Sequence, residues 1–134
     1  MTNLFRSTRI KAAAAAASTV LLAGTGVTLG AAPAHAAKSD CPAGALCVWT
    51  QPDYRGTMGK VYGNNNDLTI YYAFNNVKSL YNNGNDCDVA IYTGKNRSGY
   101  SMTIDRGDAI PELSVNSVFY NDIASNYWSC PWPA

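Results

Sequence analysis

From Ala37 onward the apolar positions come in short runs, and none recurs at i, i+3 and i+4 through three turns of helix. Gly and Asn break the chain every few residues, which argues against long helices. Four runs read instead as short strands: residues 46–49 (LCVW), 57–62 (TMGKVY), 89–92 (VAIY) and 100–104 (YSMTI). The stretches Tyr54-Arg55-Gly56 and Arg97-Ser98-Gly99 punctuate them as hairpin turns. Short strands at this turn density predict an all-β sandwich.

The runs also repeat. VWTQPDYRG at 48–56 matches IYTGKNRSG at 91–99, and FNNVKSLY at 74–81 matches YNDIASNY at 120–127. The second half therefore carries a few extra residues between its two blocks. Each unit, about 46–84 and about 89–130, reads as a hairpin followed by a return segment. One such unit cannot bury its apolar face alone, whereas two facing each other form a pair of Greek keys around one core.

The first 36 residues change the charge picture. Arg6, Arg9 and Lys11 precede an apolar run and the small-residue site Ala34-His35-Ala36, the pattern of a secretory signal peptide cleaved after Ala36. The separated arginines favour the general secretory route over the twin-arginine route. Three of the ten basic residues leave with this segment while all nine acidic ones stay, so the expected mature domain, 37–134, is mildly acidic. It has no basic stripe for nucleic acid and no membrane segment of its own. The only histidine, His35, leaves too, which removes His-based triads and His-ligated metals. Glu112 stands alone among turn aspartates and no Ser or Cys has an evident base, so no enzyme is expected.

Four cysteines remain, an even count that in an exported chain predicts two disulfides. The turn at Pro42-Ala43-Gly44 favours Cys41–Cys47, which leaves Cys87–Cys130. Arg106-Gly107-Asp108 reads as a turn, and the sequon Asn96-Arg97-Ser98 carries no weight. Among the aromatics, Trp49, Phe74, Tyr81, Tyr92, Tyr120 and Tyr127 fall inside repeated blocks and are expected in the core or at corners. Tyr71, Tyr72 and Trp132 are expected at the surface.

Trp49, Tyr54 and Gly56, followed by the Asn-Asn-x-x-Ser block, resemble the Greek-key motif of the βγ-crystallin fold. With the Cys-Pro-x-Gly-x-x-Cys opening behind an export signal, residues 41–130 are similar to the secreted actinobacterial peptidase inhibitor family thirty-six, whose inhibitory members act on thermolysin-like metallopeptidases. The chain departs from the pattern at Arg97, where the first repeat has Tyr54, and at Leu80 and Asn126, where crystallin motifs usually place a second Ser. The resemblance implies a βγ-crystallin-like sandwich of two Greek-key motifs stapled by two disulfides. It also implies a secreted, monomeric inhibitor that meets an extracellular peptidase without nucleic acid or membrane.

Such an inhibitor needs a stiff exposed segment. Two connecting segments qualify: residues 63–72, with Leu68 and Ile70 as apolar anchors, and residues 105–112, with Ala109 and Ile110 stiffened by Pro111. No cofactor is required, but crystallin-like blocks of this form bind calcium. The resemblance assigns Asn75, Asn76 and Ser79 to one calcium site and Asn121, Asp122 and Ser125 to another, with the carbonyls of Val77 and Ile123. The same residues also read as turn caps that hydrogen-bond the backbone. The alternative function is a calcium-stabilised structural or surface-binding module, with an antimicrobial variant.

Overall fold

A computed structural model of the chain describes residues 36–131. The expected export segment lies outside the described residues except for Ala36, and Trp132 lies outside them as well. Seven strands follow in order: β1 (Ala45–Gln51), β2 (Arg55–Val61), β3 (Ser79–Asn83), β4 (Asp88–Gly94), β5 (Ser98–Ile104), β6 (Ala109–Ile110) and β7 (Ser125–Ser129). The four expected strands are β1, β2, β4 and β5. Among the described residues no helix is long and apolar enough to cross a membrane.

The strands form two antiparallel sheets, ordered β2-β1-β3-β6 and β5-β4-β7. Each repeat supplies a hairpin and a return strand to its own sheet, and between the two gives a short segment to the other. Ala109 and Ile110 of the second repeat pair with Tyr81 and Leu80 of β3. Asn65 of the first repeat reciprocates by bridging Asn126 of β7, with N–H···O bonds of 3.2 and 3.0 Å in the two directions. The inner faces contribute Leu46, Val48, Val61, Leu80, Val89, Ile91 and Ile104 to one core, and Leu68, Phe74, Val77, Leu113, Phe119 and Ile123 fill it from the connections. Burying each such side chain is worth about 1.5–3 kcal/mol.

The two hairpin turns are near copies. Asp53 and Tyr54 adopt φ of 57° and 59°, and Asn96 and Arg97 adopt 55° and 63°. Two successive non-glycine residues in this left-handed region need bracing. The return-strand serines supply it: Ser79 Oγ donates to Gln51 O at 2.8 Å and accepts from Tyr54 N at 3.1 Å. Ser125 Oγ does the same with Gly94 O and Arg97 N at 2.6 and 2.9 Å.

Both expected disulfides are present, Cys41–Cys47 and Cys87–Cys130. The first lies on the outer face of β1, where Cys41, Ala45, Cys47 and Trp49 form a second small core. Lys38 covers that face with its ammonium 4.8 Å from the centre of the Tyr81 ring. β1 is consequently buried on both sides over most of its length, while its counterpart β4 alternates between buried and half-buried residues.

Candidate functional site

The connection between β2 and β3 turns a buried anchor into an exposed tip. Leu68 donates its amide to Ala124 O at 2.7 Å and its side chain is fully buried. It therefore holds the loop down and offers nothing to a partner, which corrects the expectation that it is an exposed anchor. A leucine inside an otherwise polar stretch reads like a surface anchor, and only the fold shows the core closing over it. Ile70, two residues on, is 71% exposed, with Tyr71 and Tyr72 beside it.

The backbone around Ile70 is fixed from both sides. Asn75 Nδ2 donates to Thr69 O at 2.6 Å and to Tyr71 O at 3.0 Å, so one side-chain amide grips the carbonyls flanking Ile70. Asn76 Nδ2 donates to Tyr72 O at 2.9 Å. At the entry, Asp67 Oδ1 accepts from Thr69 N at 2.9 Å and from the Thr69 hydroxyl, and Lys95 Nζ lies 3.0 Å from Asp67 Oδ2. The Thr69 and Lys95 contacts hold the Asp67 carboxyl below its ordinary pKa. The exit is a 3-10 turn, Tyr72–Asn75, lying flat on β2 because Gly59 has no Cβ: one added there would stand 2.7 Å from Ala73 Cβ. A shallow cleft of about 200 Å³ separates Tyr71 and Tyr72 from Met58 and Lys60.

The second expected segment is built differently. Ala109 and Ile110 form β6 at the edge of a sheet, and Ile110 is half-buried against the core. Pro111 O accepts from Asp53 N at 2.7 Å, tying the segment to the opposite hairpin. The expectation of a free loop at Ala109, Ile110 and Pro111 is thus corrected: Ala109 and Ile110 are sheet in the exchange between repeats, and Pro111 is tied to the opposite hairpin through its carbonyl.

The repeated blocks meet across the pseudo-symmetry of the fold. Asn121, at φ 62°, donates its amide to Val77 O at 3.1 Å, and Ile123 N donates to Phe74 O at 3.2 Å. The donor set fits calcium poorly. Ser79 and Ser125 are buried in the hairpin latches, Asn121 Oδ1 accepts from Lys78 Nζ, and Val77 O already accepts a hydrogen bond. Leu80 is core, and Asn126 is buried with its side chain bonded to Gly63 O and Asn65. Among the described residues no three His, Cys, Asp or Glu side chains gather closely enough to hold a metal. Burial raises the Asp122 pKa.

Two features went unread in the sequence. One is Lys78, whose ammonium reaches Asn121 Oδ1 at 2.6 Å. The other is the loop carrying exposed Val115 and Val118, the second repeat's counterpart of the Ile70 loop. The offset of the repeats would have paired the two loops, but the extra residues of the second half blur the register there.

Two disulfide-stapled Greek keys that exchange short segments define a βγ-crystallin-type sandwich, and solved structures bear this out. A structure concerned with the evolution of the eye lens βγ-crystallin domain fold superposes with a TM-score of 0.58 at 18% identity, covering 67% of this chain and 90% of that one. A βγ-crystallin from Ciona intestinalis gives 0.53 at 12% identity over 64% and 100% of the two chains. Spherulin 3a from Physarum polycephalum gives 0.52 at 19% identity over 77% and 94%. These likenesses establish the fold. No curated protein matches the chain. The family model of peptidase inhibitor family I36 matches residues 34–104, and the chain belongs to that family. Membership supports a peptidase-inhibitor role with a peptidase as partner and without catalysis of its own. With the two disulfides it suggests an extracellular protein.

Proposed function

We propose that the protein inhibits an extracellular, thermolysin-like metallopeptidase by placing the loop of residues 69–72 in the enzyme's cleft, with Ile70 as the inserted side chain. The observation that carries this reading is the double grip of Asn75 on the carbonyls of Thr69 and Tyr71 around an exposed Ile70. An inhibitor that binds as a substrate does must lose little conformational entropy and must not spring open, and a loop already clamped at both flanks meets both demands. A thermolysin-like cleft favours a bulky apolar residue just after the scissile position, which Ile70 supplies. The equivalent loop of the second repeat lacks this grip, because Asn121 faces Lys78 instead. Secretion would follow from the expected signal peptide at residues 1–36.

Titration of the secreted protein against a panel of metallo- and serine peptidases tests this. Stoichiometric inhibition of a thermolysin-like member is the expected result. Absence of inhibition across the panel overturns the reading.

A further inference from the structure

The repeats are related closely enough that one difference between them is informative. Lys78 and Ala124 occupy equivalent places. The amide of each donates to the first strand of its own hairpin, Lys78 N to Trp49 O at 2.8 Å and Ala124 N to Tyr92 O at 2.8 Å. The carbonyl of each accepts from a buried leucine of the other repeat, Leu113 N and Leu68 N, both at 2.7 Å. The backbone of residue 78 is therefore immobilised on both sides, and its half-buried side chain starts from a fixed point. The Lys78 ammonium then meets Asn121 Oδ1 at 2.6 Å, Asn76 O at 3.4 Å and the face of the Tyr120 ring at 4.7 Å. Those groups belong to both repeated blocks.

A cation is thus already present at the junction, and it is covalently attached. We propose that Lys78 Nζ is the chain's own cation between the two blocks, in place of a dissolved divalent ion, so that this end of the molecule assembles without metal. An ammonium is a compact charge with three donors, which suits one amide oxygen, one carbonyl and one ring face. Calcium takes six to eight oxygens, whereas here the serine hydroxyls and Val77 O are already engaged. A second cation brought close would also be repelled by the first. The asymmetry of the two asparagines follows from the same cause. Asn121 turns its oxygen to Lys78, while Asn75, which has only Ala124 in the equivalent place, turns its amide onto its own loop.

The test compares melting and amide exchange of the secreted protein and its variants in chelator and in about 5 mM calcium. The unmutated protein is expected to melt at the same temperature in both, within about 2 °C. Lys78→Met is expected to melt about 4–8 °C lower and to exchange faster at the Asn121 and Ile123 amides, with Lys78→Arg recovering most of the loss. A rise of more than about 5 °C on adding calcium to the unmutated protein overturns the proposal, as does a Lys78→Met variant indistinguishable from it. If Lys78→Met fails to fold, nitrogen-detected NMR of the unmutated protein decides: slowly exchanging Nζ protons on Lys78 support the proposal, and protons exchanging at the solvent rate refute it.

Discussion

Asn75 holds Thr69 by its carbonyl at 2.6 Å, and the same amide nitrogen reaches past Ile70 to the carbonyl of Tyr71. Each bond is exposed and contributes about 1 kcal/mol or less to folding, so their effect belongs to the loop and not to the core. Asn75→Ala is expected to leave the melting temperature within a few degrees of the parent while weakening peptidase inhibition at least about tenfold, or 1.4 kcal/mol. The variant loop should also be cut faster by the target enzyme. An Asn75→Ala protein that inhibits undiminished and resists cleavage would show that the grip is incidental.

Ile70 and Ile110 separate the two expected loops. Ile70→Asp changes an exposed side chain and is expected to spare stability while weakening inhibition at least about tenfold. Ile110→Asp puts a carboxylate on a residue paired with Leu80 and packed on the core, and is expected to lower stability by about 2 kcal/mol or more. Measuring Tm and inhibition constant on both variants tells the roles apart. Full inhibition by a folded Ile70→Asp protein would move the contact away from this loop.

Acid should loosen the entry to the loop. The folded Asp67 carboxyl titrates below its unfolded value, near 3.9, so its contribution to stability is complete above that value and is lost as pH falls through the lower folded pKa. The stability difference between the parent and Asp67→Asn is therefore expected to be constant from about pH 5 to pH 8 and to shrink below about pH 4. A difference that grew on acidification would contradict the assignment. The Asp67 side chain keeps over a third of its solvent contact, so the effect is small and best read from exchange at the Thr69 amide.

Ser79→Ala and Ser125→Ala test the hairpin latches. Each removes one buried hydroxyl that serves both a carbonyl and an amide of a left-handed turn. Each is expected to cost about 2 kcal/mol, a fall of roughly 8–16 °C in Tm for a domain of this size. If calcium ligation were their role, the loss would appear only when calcium is present, and equal losses in chelator and in calcium are expected here.

Much of this arrangement was legible because it rests on local pattern. The hairpins at 48–56 and 91–99 announce themselves through repeated turn residues, and the pairing of Cys41 with Cys47 follows from the turn between them. The departure at Arg97 also resolves simply, since its guanidinium lies 4.3 Å over the Tyr127 ring where the first repeat has Lys38 over Tyr81. What the sequence concealed depends on contacts between repeats. Leu68 and Ile70 look alike in a polar segment, yet one is covered by the second repeat and the other is not. Ile110 reads as a loop residue because its strand has two residues and pairs far away in sequence. Lys78 carries no motif, and its meaning comes entirely from Asn121 and Tyr120, more than forty positions on.

The exchange of short segments has a further consequence. Each disulfide closes within one half, Cys41–Cys47 in the first and Cys87–Cys130 in the second, so no covalent bond joins the halves except the chain at residues 84–86. Asn85 and Asp86 are exposed there. A peptidase that nicked this link would yield two stapled fragments, the second still lending β6 to the first, the first still bridging β7 through Asn65, and both sharing one core. Such a nick is therefore expected to leave the halves associated, and two separately produced halves are expected to reconstitute the domain.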